Sequence, residues 1–86
     1  MEIHHLKTHT DYFNQVAHGY KTFEVRKDDR NFQQFDILCL ENYDGQNNQY
    51  KYGYVLAEVT YILKGGQFGI EKGYVFMSLK ILIAKY

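Results

Sequence analysis

The alternation of the C-terminal half constrains this chain most. From Tyr54 to Leu63, Val55, Ala57, Val59, Tyr61 and Leu63 face one way and Tyr54, Leu56, Glu58, Thr60 and Ile62 the other; from Tyr74 to Ala84, Val75, Met77, Leu79, Ile81 and Ile83 share one phase. A period of two held over ten residues belongs to strands, because successive side chains leave a pleated strand on opposite faces. Asp36 to Tyr43 (DILCLENY) is a third strand, apolar on both faces at its centre, and Lys21 to Lys27 (KTFEVRK) a fourth, with Phe23 and Val25 against Thr22, Glu24 and Arg26. Asp44 to Gln49 (DGQNNQ) is a hairpin turn, and Gly65, Gly66 and Gly69 form another, since they lack dinucleotide-loop spacing and no P-loop lysine follows.

Only Thr8 to His18 has a helical period. Thr8 with Asp11 resembles a capping box, Tyr12, Phe13, Val16 and Ala17 make the apolar face, and Gly19 stands at the C′ position, which predicts about three turns. With the short extended segment Ile3 to Lys7, the expectation is an α+β fold: a small, mainly antiparallel, partly closed β-barrel of five strands with one N-terminal helix. The 86 residues make a single domain, 1–86.

Ten Lys and Arg balance ten Asp and Glu, so an anionic partner must meet a local cluster rather than a basic coat. The longest apolar run, Ile81 to Ala84, is far below the roughly 18 residues of a membrane span, and the N-terminus has no export signal, so a cytoplasmic protein with no membrane partner is expected. Cys39 is the single cysteine, which excludes an internal disulfide and a CxxC site and is expected to be buried and unreactive. His5 and His9 form HxxxH without an intervening glutamate or a further ligand in sequence, and neither metal nor cofactor is expected.

The densest chemistry lies in Gly19 to Arg26, GYKTFEVR. Glu24 and Arg26 share a strand face, whereas Lys21 joins them only if the helix-to-strand turn redirects it. One reading is a solvated salt bridge; the other is a pocket in which Glu24 orients Arg26 and the cations meet an anionic or carbonyl-bearing ligand. Arg26→Ala is then expected to weaken binding with little loss of folding, and Phe23→Ala to do the reverse, at a cost of roughly 3–5 kcal/mol for a fully buried ring.

This octapeptide matches the GxKxxExR signature of the ASCH (activating signal cointegrator homology) domain, and the chain resembles a small bacterial and phage subfamily of it. Further matches are His4-Leu6-Lys7, Tyr12-Phe13, Arg26-Lys27-Asp28-Asp29-Arg30 with Phe32, Asp36-Ile37-Leu38, Glu41-Asn42-Tyr43-Asp44, Val59 to Leu63 and Gly73-Tyr74-Val75. The resemblance implies a PUA-like barrel whose helix-barrel cleft binds RNA or a modified nucleoside or nucleotide. Site residues on this basis are Lys21, Glu24 and Arg26, extended by Arg30 if the RKDDR run is more than a solvated turn, and by His4 and Lys7 if they are more than edge-strand polar residues. Phe35 replaces a common glycine, so the start of the next strand is expected to be rebuilt.

Relatives that hydrolyse acetylated cytidine resemble this chain at Lys21, but their hydroxyl three residues on is replaced by Glu24. Their second acid, from a helical insertion, has only Glu58 or Glu71 as stand-ins. A binding module is therefore expected rather than an amidohydrolase using Lys21 and Glu24. Tyr43, Tyr50, Tyr52 and Tyr54 around the DGQNNQ loop suit either base stacking, with Tyr52 as a ligand contact, or cross-strand packing. A protein-interaction domain is the third possibility, and oligomeric state is open.

Overall fold

A computed structural model describes residues 1–86. The elements run β1 (Ile3–His9), α1 (Thr10–Ala17), β2 (Phe23–Lys27), β3 (Ile37–Asp44), β4 (Gln49–Lys64) and β5 (Tyr74–Lys85). One five-stranded sheet has the order β1-β3-β4-β5-β2. β1 runs parallel to β3, and the other three pairings are antiparallel. The sheet is thus mixed, and it curls into a half-barrel with α1 packed against β1, β3 and β4. No helix is long and apolar enough to cross a membrane.

The inward phase holds at the centre of β4 and the start of β5, where Val55, Ala57, Val59, Val75 and Met77 are fully buried. It fails at the ends. Register shifts between Val59 and Tyr61 and between Leu56 and Ala57 reverse the alternation, so Ile62 and Ala84 pack on the core while Tyr61 and Ile83 are exposed. Bulges bend a strand and raise its twist, which is how a sheet of long strands curls rather than staying flat.

The helix is shorter than predicted, two turns rather than three, and its N-cap is His9 instead of Thr8. β1 passes directly into α1, so Thr8 lies within the strand as an inward, buried residue, and the Thr10 hydroxyl ties the helix start to Asn42 Oδ1 at 2.7 Å. Phe13, Val16 and Ala17 face the core, whereas Tyr12 turns outward. Gly19 ends the helix at φ +80°, its N–H bonded to the Val16 carbonyl, as a C′ glycine does. Phe13 requires Gly53 beneath it: a Cβ there would stand 3.0 Å from Phe13 Cζ and 2.9 Å from the Lys85 carbonyl oxygen, at a φ of +122°.

The start of β3 also departs from expectation. Phe35 takes the glycine conformation itself, φ +75°, while its N–H donates to the Val59 carbonyl at 2.7 Å. The left-handed turn is retained at a steric cost of roughly 1–2 kcal/mol rather than rebuilt. Its neighbour Asp36 is a buried hub: Oδ1 accepts from the Glu2 amide, and Oδ2 from the Gln33 amide and His4 Nε2, the last at 2.8 Å. Burial alone would raise the Asp36 carboxyl, but the hydrogen bonds from His4 and the two amides, with the His4 charge, hold it below the usual carboxylate value.

Candidate functional site

β2 faces the opposite way from its apolar pattern. Glu24 is 4% exposed, whereas Phe23 and Val25 are 38% and 50% exposed. The cause is pairing: residues directly opposite in an antiparallel ladder share a face, Glu24 stands opposite buried Met77, and Val25 stands opposite Phe76. Register against a central strand outweighs the preferences of a five-residue edge strand. Phe23 is stacked outside, its ring 5.2 Å from that of Phe76.

The inverted carboxylate lies beneath a cleft of about 450 Å³ between α1, β1 and β2. Lys7, Lys21, Glu24 and Arg26 supply its charges, Tyr12, Phe23 and Val25 its apolar surface, and Thr8 and His9 complete the lining. The turn after α1 brings Lys21 to the cluster: its Nζ donates to Glu24 Oε1 at 2.6 Å and to the Phe23 carbonyl at 2.7 Å. Arg26 Nε donates to Glu24 Oε2 at 2.8 Å. Each carboxylate oxygen therefore accepts one charge-assisted bond, and the cations outnumber the carboxylate. An ammonium has three donors and a guanidinium five. One N–H of Lys21 and both N–H groups of Arg26 Nη1 remain without a partner in the protein. The cluster offers donors and few acceptors.

Arg26 has a second task. Its Nη2 donates to the Lys7 carbonyl at 3.1 Å and to Thr8 Oγ1 at 3.2 Å, and Arg30 Nη1 donates to the His5 carbonyl at 3.1 Å. β1 and β2 are the sheet edges, so these arginines fasten the open seam of the half-barrel. Arg26 therefore also ties β2 to β1, a structural task that the reading of a purely polar strand face did not include.

The other predicted residues separate. Lys7 reaches the rim, its Nζ 4.7 Å from the Tyr43 ring centroid. Arg30 sits at the seam beside the cleft, lining a smaller hollow with Arg26 and Asp29. His4 is buried, bonded to Asp36 and packed on Phe32, and does not line the cleft. Tyr52 also lies off the cleft, 78% exposed. The tyrosine ladder is interrupted around Gly53: Tyr43 and Tyr50 meet edge-on at 5.0 Å, and Tyr54 stands opposite Glu41. Neither Glu58 nor Glu71 lines the cleft. Tyr12 was missed as a lining residue, although adjacent Tyr12 and Phe13 cannot both face the core, and the spacing Phe13, Val16, Ala17 selects the phenylalanine.

Residues 3–79 match the model of a family described as a domain of unknown function (DUF3850). A protein of Escherichia phage P2, named as an uncharacterized 12.9 kDa protein in the GpA 3'region, is 43% identical over 42 residues, 49% of this chain. The matched stretch spans only 38% of that relative's length. With the family model covering nearly the whole sequence, the chain belongs to the DUF3850 family.

Proposed function

We propose that the cleft is a binding site for RNA or a modified nucleoside or nucleotide, and that the protein is a non-catalytic PUA-like module of the ASCH type. The observation that carries this reading is the Lys21–Glu24–Arg26 cluster beneath a ligand-sized cleft, with three N–H groups unspent. Such a site selects acceptors: a base carbonyl, an acyl oxygen or a phosphate. Glu24 already accepts at both oxygens, so it aligns the cations and is not the group that reads an exocyclic amine. The exposed ring of Tyr12 and the partly exposed ring of Phe23 supply faces for a planar ligand, at roughly 1–3 kcal/mol per stacked base. The half-barrel, the helix over it and the motif resemblance all support the same reading.

The arrangement also disfavours acyl hydrolysis, because Glu24 puts negative charge where an oxyanion would develop. Calorimetric titration with short single-stranded RNAs and with N4-acetylcytidine tests the proposal. Binding that weakens with added salt for RNA, and is lost in Lys21→Ala, is expected. Binding unchanged in that variant would refute the site, and lysine-dependent acetate release would refute the non-catalytic reading.

A further inference from the structure

On the outer face of the sheet, β1 and β3 bring His5 to Cys39 and Glu41, which lie more than 30 residues further along the chain. The parallel register sets His5 opposite Cys39, and Glu41 follows two residues along the same face of β3. Leu6, Leu38 and Leu40 hold that register by facing the core. The single cysteine and its strand neighbour Glu41 thus gain a histidine, and His5 is bonded to Glu41 rather than set beside His9 as the HxxxH spacing suggests.

We propose that His5, Cys39 and Glu41 form a divalent-metal site of the zinc class. Their ligand atoms lie within 4.8 Å of one another, and His5 Nδ1 is already 3.2 Å from Glu41 Oε2. Around a tetrahedral ion with bonds of roughly 2.0–2.3 Å, ligand atoms sit about 3.5 Å apart. Closing on an ion shortens these separations by at most about 1.3 Å, and His5 and Glu41, being 65% and 30% exposed, are free to make that movement. Cys39 stays where its strand holds it. Sulfur, imidazole nitrogen and carboxylate oxygen together suit Zn²⁺ or Co²⁺, and Ca²⁺ or Mg²⁺ would require more oxygens.

Access to the site is open. Although Cys39 is 7% exposed, it and Glu41 line a second cleft, of about 310 Å³, with Tyr50, Lys51 and Tyr54. On binding, the Cys39 thiol releases its proton to solvent, the three side chains each donate a lone pair, and a water completes the fourth position. No residue of this set lines the Lys21 cleft, so the two sites are tested separately.

Cobalt titration followed by absorption spectroscopy is the test. One Co²⁺ per chain is expected, with an intense thiolate-to-cobalt charge-transfer band that Zn²⁺ abolishes by displacement. Cys39→Ser should remove the band. His5→Ala, at an exposed position that leaves the fold intact by circular dichroism, should weaken binding at least tenfold, as should Glu41→Gln. Absence of a thiolate band at saturating Co²⁺, or affinity unchanged in His5→Ala and Glu41→Gln, would overturn the proposal.

Discussion

The inversion of β2 makes an opposite forecast from the apolar pattern, and two substitutions decide between them. In Glu24→Ala, Lys21 Nζ and Arg26 Nε lose the carboxylate that holds both, while their side chains remain only 18% and 26% exposed. Breaking a buried pair by deleting one partner costs roughly 3–5 kcal/mol, and the partial solvation of the two cations places this case near 3 kcal/mol. In Phe23→Ala, a side chain 38% exposed, and so about three fifths buried, loses its stacking on Phe76 and most of that burial. At about 25 cal/mol per Å², less the part alanine keeps, the loss is about 1.5 kcal/mol. For a chain of this length each kcal/mol moves Tm by roughly 4–8 °C, so the glutamate variant should melt roughly 12–24 °C below wild type and the phenylalanine variant by about half as much. Urea unfolding monitored by far-UV circular dichroism gives the two free energies directly. Equal losses, or a larger loss for Phe23→Ala, would show that β2 presents its apolar face to the core and would refute the register reasoning.

Three further outcomes follow from particular residues. Phe35→Gly should be more stable than Phe35→Ala by about 1 kcal/mol, since both remove the ring and only glycine relieves a φ of +75°; alanine equal to or above glycine in urea midpoint would contradict this. Because the folded Asp36 carboxyl holds its proton less tightly than the unfolded one, its contribution is complete above the ordinary Asp value of about 3.9 and is lost as pH falls through the lowered folded value. Urea midpoints measured from pH 5 down to 2 should therefore fall less steeply for Asp36→Asn than for wild type, and parallel profiles would remove Asp36 from the account. Cys39, its thiol pushed up by burial and then by the Glu41 charge, should react slowly with a thiol reagent in the metal-free native protein, and labelling as fast as in urea would contradict that environment.

Much of the architecture is legible in the sequence, because it rests on local periodicity. Five strands, one early helix, the glycine at the helix end and the DGQNNQ hairpin all follow from steric and hydrophobic preferences within about ten residues. The association of Lys21, Glu24 and Arg26 was also readable, since three residues within six of one another need only one turn to meet. What local pattern did not contain was the choice of face. Phe23 and Val25 look like core residues until β2 is paired with β5, whose Met77 has already taken the inward position, and a one-residue alternation then sends Glu24 inside. The bulges that expose Tyr61 and Ile83 are the same kind of decision, made by the sheet as it curls. Long-range pairing likewise turned His4 from a candidate ligand contact into the buried partner of Asp36, and set His5 beside Cys39 across a parallel register that joins residues 34 positions apart. Sequence determined which segments are strands and which charges travel together; tertiary structure decided which side of each strand meets water, because that depends on neighbours far along the chain.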